Sequence, residues 1–398
     1  MSQRPISRSP DLQKLRNEGY DIVIQSGFLL VRQVPYVKSD RMVGRGILVS
    51  PLELANDTAV RPKDHVVFWT GDMPCDANGS PLSRLVNQSS DRTIYEGLVA
   101  HHSFSQKPAE GYGDYHQKMT NYVRMLEGPA QTIVPGVTAR VFPVVRTDEA
   151  ESVFVYEDTA SSRAGIVPIT QKLGRGRIAV VGVGGTGSYV LDHLAKTPVT
   201  EIHLFDGDSF LQHNAFRSPG APSAEELEKG LKKVEWFAEV YSHMRRRIVP
   251  HPVDIGDANV GELRGMDFVF LCIDKGSPKR SVVEFLLRNN IPFIDVGMGL
   301  HLEGESLAGL VRVTAAIPSQ SERVVGRIPF TDGENEEYAQ NIQVSDLNAL
   351  NAALAVIKWK KLWGFYSDLE GELSVTYMVS TNKLINEVTT REAQADSP

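Results

Sequence analysis

The stretch Arg177-Ile178-Ala179-Val180-Val181-Gly182-Val183-Gly184-Gly185-Thr186-Gly187-Ser188 runs an apolar strand into a glycine loop and on into a helix. A strand so uniformly apolar is buried on both faces, as in a parallel sheet covered by helices. Small residues between strand and helix let the backbone approach a phosphate while the first helical N–H groups point at it. Taken alone the loop also reads as a tight turn, so its neighbours decide. The next apolar stretch, 201–206, ends in Asp206, nineteen residues past Gly187. A doubly wound fold presents a carboxylate to a ribose hydroxyl at that place.

Working outward, strand-like stretches at 177–183, 201–206, 267–273 and 292–296 alternate with helical stretches at 186–196, 224–246 and 277–289. This alternation predicts a parallel sheet with crossover helices. Past Gly304 come an alternating strand at 307–317, a polar loop at 319–341, a helix at 346–362 and antiparallel runs at 372–379 and 384–388. Upstream, short β-branched or aromatic segments at 21–24, 28–34, 45–49 and 65–69 are punctuated by Gly27, Pro35, Pro51, Asn56-Asp57 and Asn78-Gly79. A helix at 115–126 places Tyr115, Met119, Tyr122, Val123 and Leu126 on one face. The expected class is α/β: a doubly wound, mostly parallel, Rossmann-like sheet with antiparallel C-terminal strands, preceded by a smaller α+β domain. The expected boundaries are 1–160 for the amino-terminal domain, 161–176 for a linker, 177–390 for the second domain and 391–398 for a polar tail.

The 398 residues are 41% hydrophobic and 23% charged, a globular composition that excludes disordered and fibrous classes. A net charge of -7, from 42 basic and 49 acidic residues, gives no general attraction to nucleic acid or anionic lipid. Two cysteines, Cys75 and Cys272, allow neither a disulfide framework nor a four-thiolate zinc site, so no zinc is expected. Together with the lack of an apolar run of signal-peptide or membrane-spanning length, this predicts a cytoplasmic protein.

Cations downstream of the loop separate a dinucleotide from ATP. Backbone amides largely satisfy a pyrophosphate, whereas attack on a triphosphate needs cations and a metal against developing charge. Here Asp206-Gly207-Asp208 is followed by Asn214-Ala215-Phe216-Arg217, by Gly230-Leu231-Lys232-Lys233 opening the second half of a helix, and by Asp274 at a strand's carboxyl end. Singly, Arg217 and Lys233 read as solvated surface charges, and Asp208 equally as a turn former; their joint spacing with the loop makes them site candidates.

These residues resemble the adenylation domain of the ThiF/MoeB/HesA family, whose fold is shared with ubiquitin-activating enzymes. The resemblance covers 177–304 and the helix at 346–362, roughly half the chain. It implies that Gly182, Gly184, Gly185, Gly187 and Ser188 hold ATP and that Asp206 binds the ribose. It further implies that Asn214 and Arg217 contact the phosphates, Lys233 reaches the triphosphate and Asp274 holds Mg²⁺. The sequence departs from the family at Lys275, where an asparagine is usual, and at Ser218, often a glutamine. The implied reaction is ATP-dependent adenylation of the C-terminal glycine carboxylate of a ubiquitin-like or sulfur-carrier protein, by a homodimer that can hand its product to a ubiquitin-conjugating-type enzyme. No membrane or nucleic-acid partner is expected. The alternatives are an adenylating enzyme for a small-molecule or tRNA carboxylate, a nicotinamide-dependent oxidoreductase, which leaves Arg217, Lys233 and Asp274 idle, and a non-catalytic adaptor.

An acyl acceptor is harder to read. Cys272 lies in an apolar strand and is expected to be inert, and acidic neighbours disfavour a thiolate at Cys75. The hydroxyls of Ser319, Ser321, Thr331 and Ser345 remain, as does direct transfer to a partner. Gly297-Met298-Gly299 is expected to be structural rather than part of a tail channel. His101, His102 and His116 lack partners at metal-ligand spacing and are expected to pack or turn. The amino-terminal region resembles those fused to ThiF-type domains in bacterial ubiquitin-like conjugation operons, which implies a role in recognising substrate or partner.

Overall fold

A computed structural model describes residues 4–273, 276–318, 325–330 and 342–387. The chain divides into two compact units, Met1–Asp148 with Tyr156–Gly165, and Glu149–Val155 with Ile166–Pro398. It therefore enters the second unit, returns to the first and leaves again before residue 166. In the second unit Phe154 bridges to Arg245, and the Val155 amide donates to the Met244 carbonyl at 2.8 Å. In the first, Arg16 meets the Glu157 carboxylate at 2.5 Å and the Ser162 hydroxyl at 3.1 Å.

The first unit opens with α1 (Arg4–Arg8) and α2 (Pro10–Asn17), then β1 (Asp21–Gln25), β2 (Phe28–Val37), β3 (Val43–Pro51), the short β4 (Leu54–Ala55) and β5 (Thr58–Ala59), β6 (Val66–Thr70), β7 (Val86–Tyr95) and β8 (Leu98–Ser105). Among the described residues the main sheet is antiparallel in the order β1-β2-β3-β6-β8-β7, with β4 and β5 as a separate ribbon. Helix α3 (Tyr115–Ile133) covers one face. The Asp114 carboxylate caps it by accepting from the Gln117 amide at 2.7 Å. Tyr115, Met119, Tyr122, Val123 and Leu126 face the sheet as their spacing predicts, against Leu29, Val31, Leu48, Trp69 and Phe104. The helix outlasts its expected end at Leu126, running through Pro129 to Ile133, and Ala130 on this extension packs with Val37 and Cys75. Helix α4 (Thr159–Arg163) belongs to this unit.

In the second unit α5 (Val167–Thr170) precedes β9 (Arg177–Val181), α6 (Gly185–Ala195), β10 (Glu201–Phe205), α7 (Gln212–Ala215), α8 (Ala224–Glu228), α9 (Lys233–Ser242), β11 (Ile248–His251), β12 (Phe268–Leu271) and α10 (Gly276–Arg288). Then come β13 (Phe293–Glu303), β14 (Ser306–Ala316), α11 (Ser345–Leu362), β15 (Ser374–Met378) and β16 (Lys383–Glu387). The strand order is β11-β10-β9-β12-β13-β14-β15-β16, parallel through β13 and antiparallel beyond. Ile178 and Val180 bury one face of β9 with α6, α9 and α11; Ala179 and Val181 bury the other with α10. Helices on both faces make the sheet doubly wound. Gly297-Met298-Gly299 lies inside β13, paired with Leu310–Arg312 of β14.

Two expectations are corrected here. The helix expected at 224–246 is two helices, α8 and α9, separated where Gly230 takes φ +61°, a left-handed conformation that no α-helix continues through. Lys233 thus opens a helix instead of lying inside one. Strand β11 was not expected, being four residues long, at the sheet edge and interrupted by Pro250, which an edge strand tolerates.

Candidate nucleotide site

From β9 the chain steps outward to β10 and β11, whereas β12 and β13 lie on the other side, so the strand order reverses between β9 and β12. Ligands of open α/β sheets bind at the carboxyl edge of that reversal. The glycine loop sits there. Gly182 has φ +85°, and a Cβ on it would come within 2.7 Å of the Cys272 carbonyl oxygen. A Cβ on Gly187 would stand 1.9 Å from the Gly182 carbonyl oxygen, so only glycine lets α6 lie back on its own loop. Gly184 is different: a Cβ there would meet no described atom within 4 Å. As the N-cap of α6, Gly184 supplies no side-chain cap to the first-turn amides. Ser188, fully buried, donates to the Gly185 carbonyl at 2.7 Å and supports the turn from inside.

Asp206 follows β10 and is 7% exposed. Its Oδ2 accepts from the Val183 amide at 2.9 Å, and its Oδ1 accepts from the Asp208 amide at 3.0 Å and from Lys233 Nζ at 3.3 Å. Lys233, the first residue of α9, also meets Asp208 Oδ2 at 2.6 Å. The two aspartates therefore share one buried ammonium. Alongside, the Gly207 amide donates to Asp254 Oδ1 at 2.9 Å and Lys232 Nζ to the Gly207 carbonyl at 2.6 Å, which fixes the turn.

Asn214 and Arg217 lie on and just after α7. Asn214 is buried; its Oδ1 accepts from the Leu211 amide at 2.9 Å, and its Nδ2 has no partner among the described residues. Arg217 Nε is likewise buried without a described partner. Burying a donor unpaired costs about 1–3 kcal/mol, and among the described residues neither of these two finds an acceptor. Ser218, where a glutamine is usual, donates from its hydroxyl to the Asn214 carbonyl at 2.7 Å and holds this turn.

Sequence reasoning missed three residues at this edge. Asn348 of α11, fully buried, donates from Nδ2 to the Arg217 carbonyl at 3.1 Å and accepts at Oδ1 from the Thr186 hydroxyl at 3.0 Å. It ties the arginine segment to the glycine loop. A signal existed, because Asn348 and Asn351 interrupt the face that Ala352 and Ala355 continue. Asp254 gave none. Asp295, inside an apolar run of β13, is fully buried between Lys279 Nζ at 2.5 Å and Arg312 Nη2 at 2.7 Å. Burial holds its carboxyl above the ordinary range against both cations.

Asp274 and Lys275 lie outside the described residues, as do Ser319, Ser321 and Thr331. Among the described residues no group of three or more His, Cys, Asp or Glu is arranged to hold a metal, and no helix is long and apolar enough to cross a membrane. Burial pushes up the thiols of both cysteines, with Asp76 and Asp40 adding at Cys75 and Asp295 at Cys272. Cys75 is 1% exposed, and the Cys272 side chain packs beneath the glycine loop, within 3.1 Å of where a Gly187 Cβ would stand. The Ser345 hydroxyl is bonded to that of Tyr189 at 2.5 Å. In the first unit His101 pairs with Asp91, His102 with Ser89 and His116 with Glu18.

Comparison with known proteins agrees with this geometry. Residues 159–354 match the ThiF family, and residues 10–159 match a domain of unknown function, DUF6791. A tRNA threonylcarbamoyladenosine dehydratase of Haemophilus influenzae is 30% identical over 130 residues, 32% of this chain and 49% of that protein. The Ubiquitin-like modifier-activating enzyme 5 of Caenorhabditis elegans is 28% identical over 128 residues, 32% of this chain and 29% of that protein. The chain thus spans about half, or less, of the length of these relatives. A crystal structure of E. coli MccB overlays with a TM-score of 0.46 at 18% identity, covering 58% of this chain and 68% of that one. The strand–loop–helix, the acidic end of β10 and the matched region coincide: residues 159–354 form a ThiF-family domain, carried behind a DUF6791 domain.

Proposed function

We propose that the ThiF-family domain binds ATP and adenylates the C-terminal glycine carboxylate of a ubiquitin-like or sulfur-carrier protein. The observation that carries the reading is the pair of buried donors, Asn214 Nδ2 and Arg217 Nε, without a partner among the described residues, on a segment that Asn348 ties to the glycine loop. A triphosphate supplies the acceptors they lack. The carboxylate oxygen bonds to the α-phosphorus while the bond to the bridging oxygen breaks, giving acyl-adenylate and pyrophosphate. No side chain needs to act as nucleophile; positioning and charge neutralisation lower the barrier. Arg217, Asn214 and the α6 amides hold phosphate oxygens, Lys233 meets the triphosphate and Asp206 the ribose. Mg²⁺, held by Asp274, would neutralise triphosphate charge.

Buried Cys75 and the packed Cys272 support direct transfer of the acyl group to a partner such as a conjugating enzyme, without a thioester on this chain. A homodimer in the cytoplasm belongs to the same reading, and the amino-terminal unit would recognise substrate or partner. A second reading, adenylation of a carboxylate borne by tRNA, is favoured by the relatives named tRNA threonylcarbamoyladenosine dehydratase. ATP–pyrophosphate exchange decides: exchange that requires a ubiquitin-like protein with an intact C-terminal glycine, and that falls at least about 100-fold in Arg217→Ala and Asp274→Ala, supports the first reading. Exchange stimulated by tRNA instead supports the second, and no exchange with either overturns both.

A further inference from the structure

A carboxylate offers about four acceptor positions, two on each oxygen. Three are taken at Asp206: one on Oδ2 by the Val183 amide, and both on Oδ1 by the Asp208 amide and Lys233 Nζ. A ribose diol that bonds both oxygens needs one position on each, and Oδ1 has none left. One of its donors must leave. The Asp208 amide is fixed in the turn that follows β10, at 3.0 Å. Lys233 is held more loosely at Asp206, at 3.3 Å, and has a second anchor at 2.6 Å on Asp208, whose side chain is 70% exposed against 8% for Asp206. A lysine that lets go of Asp206 therefore swings outward about Asp208, toward solvent.

We propose that the 2′,3′-diol of the bound nucleoside displaces Lys233 from Asp206, which makes the Asp206–Lys233 pair selective for ribose and delivers the ammonium, still tethered by Asp208, to the phosphates. This rests on the nucleotide reading above and adds that ribose and phosphate recognition are coupled through one lysine. Asp208 is then a positioning residue: it keeps the released lysine at the site.

The test is equilibrium binding of adenosine and of 2′,3′-dideoxyadenosine to the full chain, in the wild type, Lys233→Met and Asp208→Asn. Neither nucleoside carries a phosphate, so the lysine's attraction to phosphate does not enter. Lys233→Met removes the competitor and should tighten adenosine about fivefold, the size of a modest ion pair, while dideoxyadenosine is unchanged. Asp208→Asn leaves the lysine resting on Asp206 alone and should weaken adenosine by a similar factor, again without effect on dideoxyadenosine. These opposite signs are not expected of a lysine that only packs. Adenosine weakened in Lys233→Met, or both nucleosides moving together, overturns the coupling; if Lys233→Met does not fold, the Asp208→Asn arm decides alone. Equal binding of both nucleosides to the wild type overturns the coupling and leaves the nucleotide site standing. Failure of adenosine and ATP alike to bind the wild type overturns the nucleotide reading, and the coupling with it.

Discussion

Gly184 and Gly187 stand three residues apart in one loop under opposite constraints. A Cβ on Gly187 would overlap a backbone oxygen at 1.9 Å, and neither atom belongs to a flexible side chain that can turn away. Gly187→Ala must therefore push α6 off the loop, at a cost of about 1–3 kcal/mol, and should lower both the unfolding midpoint and ATP affinity. A Cβ on Gly184 meets nothing among the described residues. Gly184→Ala should unfold within about 0.5 kcal/mol of wild type and yet bind ATP at least tenfold more weakly, measured by denaturant unfolding and equilibrium binding. Equal affinity in that variant would show that no ligand approaches this face. The glycines, Asp206 and the two cations could be read as candidates because they cluster along the chain at spacings expected of a phosphate site. Asn348 was not, because its bonds reach 162 residues back to Thr186 and 131 back to Arg217, separations that no local pattern encodes.

Among the elements, the parallel strands other than β11 were legible for the reason they are stable: buried on both faces, they carry nearly continuous apolar runs. The outer strand β7 shows the converse, since seven of its ten residues are exposed and an edge without an apolar face leaves no period to read. Strand β11, equally short of signal, pairs with β10 through chemistry that predicts a pH dependence. His203 Nδ1 and His251 Nε2 are 3.0 Å apart; His203 Nε2 meets Glu201 at 3.2 Å, and the His251 ring lies on Phe205 with centroids 4.2 Å apart. Burial holds both imidazoles below the ordinary histidine range; Glu201 and the more distant Glu262 oppose it, Arg177 reinforces it at His203, and His203 reinforces it at His251. The folded chain therefore keeps them neutral where the unfolded chain takes up protons. Their contribution is fully present above about pH 6.5 and is lost as pH falls through the depressed folded values. Melting temperatures between pH 8 and pH 5 should be level at the upper end and decline below it. The decline should be shallower in His251→Gln; equal slopes in the two proteins would assign the acid sensitivity to other groups.

At the scale of the whole molecule, a domain boundary was expected near residues 160–176, where a stretch of serine, glycine and charge precedes an apolar run. What that reading could not show is the excursion of Glu149–Val155 into the second unit, because seven residues with one aromatic among them carry no pattern of their own. Their place is set by partners almost a hundred residues later. The Arg246 amide donates to the Val153 carbonyl at 2.6 Å and its guanidinium to the Ser152 carbonyl at 3.2 Å, while the Val155 amide donates to Met244 at 2.8 Å. Each such bond is worth about 0.5–1.5 kcal/mol net, and ordering the segment offsets part of that. A fragment beginning at Glu149 keeps these bonds, and one beginning at Ile166, the apparent linker, loses them. The shorter fragment should melt about 2–4 °C lower for each kcal/mol forfeited, and Arg246→Ala should lower the longer fragment toward it while leaving the shorter one nearly unchanged. Fragments that melt together would mean that the excursion follows the second unit without stabilising it.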